Sequence, residues 1–330
     1  MADTVIIDTH ALTKRYGNVL ALDGIDVRIP PAAVGLLGAN GSGKSTLIKL
    51  LLGLIAPTAG AASMLGMDVA REALRIRQRV GYMPESDCLP LDVTAADFVA
   101  HMAEMSGIPA RAARQRANDV LYQVGVDEER YRLIRGFSTG MKQRVKLAQA
   151  IVHDPELVFL DEPTNGMDPQ GRDEMLALIT RVHRQMGMSV VLSSHLLEDV
   201  ERTCDWVVMV NNGRKIIDGN INTLMRGGSD VIVRIDGDTP AFAQRLNAHG
   251  FETRLSGADI IISIADAAPE DRLFDVVRDA AVDMNVPLRA LRPRERSLED
   301  VYIETVSDAN ADAPLDVAIG AETEVTADAV

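Results

Sequence analysis

Gly38-Ala39-Asn40-Gly41-Ser42-Gly43-Lys44-Ser45-Thr46 decides the fold. Its G-x-x-x-x-G-K-[ST] spacing is what a phosphate-cradling loop requires. The glycines let successive backbone N–H groups turn inward around an anion, Lys44 brings positive charge to the β and γ oxygens, and the Ser45 hydroxyl suits Mg²⁺. The apolar run 34–37 enters the loop as a strand and 45–54 leaves it as a buried helix, whose amino terminus adds its own partial positive charge. Gly38, Asn40, Gly41, Ser42, Gly43, Lys44, Ser45 and Thr46 are therefore the expected nucleotide-binding residues.

A second stretch completes such a site. Leu157-Val158-Phe159-Leu160-Asp161-Glu162 is an apolar strand ending in two carboxylates. Asp161 would hold Mg²⁺ through water, and Glu162 would orient or deprotonate the attacking water. Further strands are expected at 5–7, 25–29 and 189–192, with a turn-rich stretch between the first two. Helices are expected at 94–106 and 111–124. Apolar strands alternating with helices predict an α/β sheet, substantially parallel.

Gly227-Gly228-Ser229 marks a boundary. Beyond it, strands at 231–235 and 260–264 and helices at 240–249 and 272–284 predict a small α+β domain, for which βαββαβ is one order that fits. From Ser307 onward the chain is rich in Ala, Asp and Glu and has no basic residue, a composition expected to stay disordered. The expected division is 1–226, with a helical subdomain at about 86–140, then 227–306, then an acidic tail at 307–330.

Composition narrows the function classes. With 34 Lys and Arg against 48 Asp and Glu, the net charge of −14 disfavours nucleic acid as the partner. Cys88 and Cys204 stand far apart with no C-x-x-C spacing, which fits a reducing compartment and gives neither a disulfide framework nor a thiolate metal site. No apolar run approaches the roughly 20 residues of a membrane span, and MADTVIIDTH lacks the basic start and apolar core of a secretory signal. The expected location is cytoplasmic.

The order of GANGSGKST at 38–46, FSTGMKQR at 137–144, LVFLDEPTNGMD at 157–168 and SSHLLEDVERTCD at 193–205 resembles an ABC-transporter ATPase. The resemblance covers residues 1 to about 226. Ser297-Leu298-Glu299-Asp300-Val301-Tyr302 is similar to carboxy-terminal extensions in ATPase subunits of ABC-2 type exporters. It implies a P-loop NTPase of the ABC ATPase type with a helical subdomain and a small carboxy-terminal α+β domain.

Residue by residue, the resemblance makes Tyr16 the aromatic platform for adenine. His195 becomes the switch histidine that contacts the γ-phosphate and holds the catalytic water with Glu162. Ser138, Thr139, Gly140 and Met141 become the signature that meets the γ-phosphate held by a second subunit, and Asp168 belongs to the loop that communicates across the dimer. Three positions depart from the family pattern. Thr139 stands at the first signature glycine, Met141 replaces the usual glutamine, and Glu85 replaces the glutamine that contacts Mg²⁺ and senses the membrane partner. A carboxylate at Glu85 can still ligate Mg²⁺.

The function implied is an ATP-binding and ATP-hydrolysing subunit, homodimeric or heterodimeric, that powers a separate transmembrane permease from the inner face of the cell membrane. The ABC-2 likeness implies export of a lipid, drug or polysaccharide-like cargo, and the acidic charge balance leaves no nucleic acid partner expected. Two other classes stay open: a soluble ATPase acting in assembly or regulation, and a nonhydrolysing nucleotide-gated module. The single glycine loop without sustained heptads counts against the first, and the presence of both Glu162 and His195 counts against the second.

Overall fold

The computed structural model describes residues 5–226, 230–263, 270–294 and 297–311. In chain order the first domain contains β1 (Ile7–Tyr16), β2 (Val19–Ile29), β3 (Ala33–Leu37), α1 (Lys44–Leu51), β4 (Ala59–Met64), β5 (Met67–Asp68), α2 (Val69–Arg79) and β6 (Val80–Met83). It continues with α3 (Ala95–Met105), α4 (Ala110–Gln123), α5 (Thr139–Ile151), β7 (Leu157–Asp161), α6 (Pro169–Arg184), β8 (Ser189–Ser194), α7 (Leu197–Thr203), β9 (Trp206–Asn211), β10 (Arg214–Asn220) and α8 (Ile221–Arg226).

Six strands form the central sheet in the order β10-β9-β3-β8-β7-β6. The pairs β9/β3, β3/β8, β8/β7 and β7/β6 are parallel, and β10 adds antiparallel at the edge. Both faces of this sheet are covered, which explains why its inner strands β9, β3, β8 and β7 are mostly apolar rather than alternating. Leu157, Phe159, Val34, Leu36 and Val191 pack against β1, β2 and α1. Val158, Leu160, Ala33, Val190 and Leu192 face a core built with α3, α4, α5 and α6.

The amino-terminal stretch differs from expectation. Instead of a short strand and turns, β1 and β2 form a long antiparallel hairpin within the sheet β2-β1-β4-β5. Polar residues and irregular register hide it: the pairing shifts between Thr9 and Leu12, and Ala11 adopts a φ of 45°. A bulge of this kind breaks the two-residue alternation by which a strand is recognised.

The second unit contains β11 (Asp230–Ile235), α9 (Thr239–Ala248), β12 (Glu252–Ser256), β13 (Asp259–Ser263), α10 (Glu270–Asp283) and β14 (Leu288–Pro293). The element order is βαββαβ and the antiparallel sheet runs β12-β13-β11-β14. Its core is small: Phe242 is fully buried among Val233, Leu246, Ile260, Ile262, Leu273 and Val277. Phe242→Ala is expected to destabilise this unit by about 3–4 kcal/mol, because so small a core cannot refill the space of a ring. Amide exchange should show protection lost across residues 230–294 while the central sheet keeps its own.

A last helix, α11 (Leu298–Ala311), follows β14. It corrects the expected onset of disorder at Ser307, since residues 307–311 continue the helix. Acidic Glu299 and Asp300 sit in its first turn and Ala309 and Ala311 near its end, placements that favour helix. Leu298 is fully buried in the core of the first domain, with Tyr302 packed against it. The expected linker 227–229 and tail residues 312–330 lie outside the described residues.

Candidate nucleotide site

The glycine loop joins the end of β3 to α1 in the middle of the central sheet. Gly43 holds a φ of 110°, and a Cβ there would lie 2.7 Å from the Ala21 carbonyl oxygen. At Gly38 a Cβ would lie 2.2 Å from the Val210 carbonyl oxygen. Lys44 is buried beneath the loop, its Nζ donating to the carbonyl oxygens of Gly38 at 2.7 Å and Ala39 at 3.4 Å. The Ser42 hydroxyl is buried with no hydrogen-bond partner.

The ends of β8 and, beyond it, β7 bring Ser193 and the acids to this loop. Ser45 Oγ donates to Asp161 Oδ1 at 3.4 Å, and Asp161 accepts a closer bond from Ser193 Oγ at 2.6 Å. Glu162 follows β7 with a φ of 48°, a conformation that disfavours any side chain but glycine's. Its main-chain N donates to both Ser193 oxygens at 3.2 Å, which holds the strained turn. Glu162 Oε1 lies 3.5 Å from Lys44 Nζ, and both side chains are 7% exposed. Glu162 Oε2 lies 2.9 Å from His195 Nδ1, the imidazole itself being 44% exposed.

A cleft of about 540 Å³ opens over these groups. Asn40, Gly41, Gly43, Lys44, Ser45 and Thr46 line it together with Glu85 and Glu162. Tyr16 is half exposed at the end of β1, with Lys14 Nζ 5.0 Å from its ring centre, and does not line this cleft. Ser138, Thr139, Gly140, Met141 and Asp168 gather instead at a second cleft of about 620 Å³. Ser138 caps α5 by accepting from Met141 N at 3.3 Å, and Asp168 caps α6 by accepting from Gly171 N at 3.1 Å. The expected site residues thus fall into two clusters on one chain.

Several residues of the site escaped the sequence reading. Ser193 stands opposite Asp161 in the β7/β8 register, and its adjacency to Ser194 and His195 was the available signal. Lys146 interrupts the buried stripe of α5 at Val145-Lys146-Leu147 and is only 2% exposed. Its Nζ donates to the Glu85 carbonyl oxygen at 3.0 Å. Burial holds its pKa below the ordinary lysine value, with Cys88, Asp87 and Glu85 pulling the other way. Asn165 Nδ2 donates to Glu85 Oε1 at 3.5 Å, and Gln143 Nε2 donates to the Asn165 carbonyl oxygen at 3.2 Å.

Residues 22–165 match the family model described as ABC transporter. The chain is 34% identical over 304 residues to the Nod factor export ATP-binding protein I of Burkholderia orbicola (strain AU 1054), covering 90% of this chain and 95% of that one. The chain belongs to the ABC transporter family. It is 31% identical to the Linearmycin resistance ATP-binding protein LnrL of Bacillus subtilis (strain 168), covering 90% of this chain and 97% of that one. Among solved structures, cbiO1 from Clostridium perfringens, part of the ABC transporter complex cbiONQ, superposes with a TM-score of 0.60 at 27% identity, covering 66% of this chain and 89% of that one.

This ABC transporter subunit binds and hydrolyses ATP and works with a separate transmembrane permease. Among its described residues no helix is long and apolar enough to cross a membrane.

Proposed function

We propose that two copies of this chain, or one copy and a similar chain, close on two MgATP and drive an export permease at the inner face of the cell membrane. The observation that carries this reading is the division of the site residues between two clefts. Lys44, Ser45, Asp161, Glu162 and His195 cluster at the glycine loop, whereas Ser138, Thr139, Gly140 and Asp168 gather at the other cleft of the same chain. Each catalytic centre would join the loop of one chain to the signature helix of the other, whose amino terminus favours an anion.

The residues present fit the nucleotide and its metal. The unpartnered Ser42 hydroxyl and the Lys44 ammonium, now on loop carbonyls, are donors suited to phosphate oxygens. Ser45, Asp161 and Glu85 offer the all-oxygen set that Mg²⁺ prefers. Mg²⁺ bound there would offset charge on the β and γ oxygens. Tyr16, flat and half exposed, would stack on adenine. Glu162 would orient the attacking water and accept its proton, with His195 holding both that water and the γ-phosphate. Asp168 would carry the state of one site to the other.

Export is supported by the relatives' names, one concerning Nod factor export and another linearmycin resistance. The permease would select the cargo, a lipid, drug or polysaccharide-like molecule, and the small domain would regulate turnover and contact the second subunit. Turnover is expected to rise more than linearly with protein concentration, with a dimer eluting in MgATP and a monomer without it. Strictly proportional turnover from a species that stays monomeric, with and without the permease, would overturn the shared-site reading.

A further inference from the structure

Helix α7 begins two residues after His195, and three consecutive side chains pin it in place. Val200 is fully buried against β3, where a Cβ at Gly35 would lie 2.2 Å from Val200 Cγ1. Asp199 is 1% exposed and accepts from Arg172 Nε at 2.7 Å and from Thr164 Oγ1 at 3.3 Å, two residues beyond Glu162. Glu201 turns the other way, its Oε1 accepting from the main-chain N of Leu298, the first residue of α11.

That contact completes the end of α11. Ser297 and Asp300 cap it reciprocally: Asp300 N donates to Ser297 Oγ at 3.1 Å, and Ser297 N donates to Asp300 Oδ2 at 3.1 Å. Glu201 takes a donor this cap leaves over, and Leu298 inserts its side chain into the first domain's core beside it. Arg294, just after β14, donates to Asp300 Oδ1 at 2.7 Å and to Asp230 Oδ2 at 3.4 Å. Arg294 and Asp230 are nearly buried, so this ion cluster ties α11 to the first and last strands of the small domain.

An unbroken run of contacts therefore leads from the small domain through Arg294 and Asp300 to α11, through Glu201 to α7, and along α7 to His195. We infer that Glu201 is a positioning residue for hydrolysis: α11, anchored to the small domain by Arg294, holds α7 through Glu201 and so sets where His195 meets Glu162. This rests on the proposed role of His195. Glu201 acts through α7 and His195 and not on nucleotide or water. A displacement of about 1 Å at the reacting groups is enough to slow turnover by one to two orders of magnitude.

The test compares full-length wild type, Glu201→Ala, Glu201→Gln, Arg294→Met and His195→Ala, with ATP turnover normalised to titrated ATP-binding sites. Glu201→Ala should lower kcat about tenfold with KM for ATP within about twofold of wild type, since orientation and not binding is disturbed. Glu201→Gln keeps an acceptor oxygen and should retain at least about half the wild-type kcat. Arg294→Met, which frees α11 from the small domain without touching α7, should lower kcat about threefold at unchanged KM. A merely structural role would reduce the number of binding sites and leave kcat per site at the wild-type value in every Glu201 and Arg294 variant.

Wild-type kcat per site in Glu201→Ala, or in Arg294→Met, overturns the proposal, as does a raised KM at unchanged kcat or an equal loss in Glu201→Gln and Glu201→Ala. If Glu201→Ala does not fold, Arg294→Met decides by the same criterion. An active His195→Ala variant would instead remove the proposed role of His195, a failure separate from that of the α11 contact.

Discussion

Glu162→Gln is expected to lower ATP turnover by at least about a hundredfold while ATP-dependent dimerisation persists. The carboxylate lies between two partners, Lys44 Nζ at 3.5 Å and His195 Nδ1 at 2.9 Å, at the end of β7 where it faces the glycine-loop cleft. Glutamine keeps the length and one acceptor oxygen but can no longer take a proton or carry charge. Its backbone would adopt the same φ of 48°, held by the same bonds from Glu162 N to Ser193, so the local fold is not at issue. If Glu162 stands beside the γ-phosphate as proposed, removing its negative charge should make the closed dimer easier to hold. Single-turnover hydrolysis and size-exclusion in MgATP read the two effects separately. Wild-type turnover in Glu162→Gln would move the general base elsewhere.

Gly43→Ala is expected to weaken ATP binding by at least about a hundredfold with the fold retained. Two penalties coincide: a φ of 110° that an L side chain rarely adopts, and a Cβ only 2.7 Å from both the Ala21 carbonyl oxygen and Leu22 Cδ2. The loop can relieve them only by moving, and Lys44 is the next residue. Gly41→Ala supplies the internal comparison. It shares a positive φ, 80°, but a Cβ there meets nothing within 4 Å, so only strain of about 1–3 kcal/mol applies and the loss should be smaller. Calorimetric titration with ATP would check both. Equal affinity in the two variants would mean that backbone strain, and not the Ala21 contact, governs the loop.

Much of the candidate site was legible because the residues that form it are patterned locally in sequence. The loop at 38–46 must carry glycines where phosphate needs backbone N–H groups, and the acids must follow an apolar strand to stand at its carboxyl end. Residues whose role is set across the fold left fainter marks. Ser193 bonds Asp161 through a strand register that no spacing along the chain expresses. Lys146 shows only as a charged residue in an apolar stripe until its partner at Glu85 is seen. The β1 hairpin was hidden for a different reason, a bulge at Ala11 that spoils strand periodicity.

By itself the amino-acid sequence determined the glycine loop, the paired carboxylates at the end of β7, the parallel sheet that carries both, and the order of motifs that marks the family. Those features depend on residue type and short spacing, and short spacing survives without coordinates. Tertiary structure alone decided that Ser193 bonds Asp161, that Glu162 lies 3.5 Å from Lys44 and 2.9 Å from His195, and that α11 returns from the small domain to rest on Glu201. Contacts such as Leu298 to Glu201 join residues nearly a hundred positions apart. Packing brings them together, and no local pattern in a single chain records which distant donor a buried acceptor will meet.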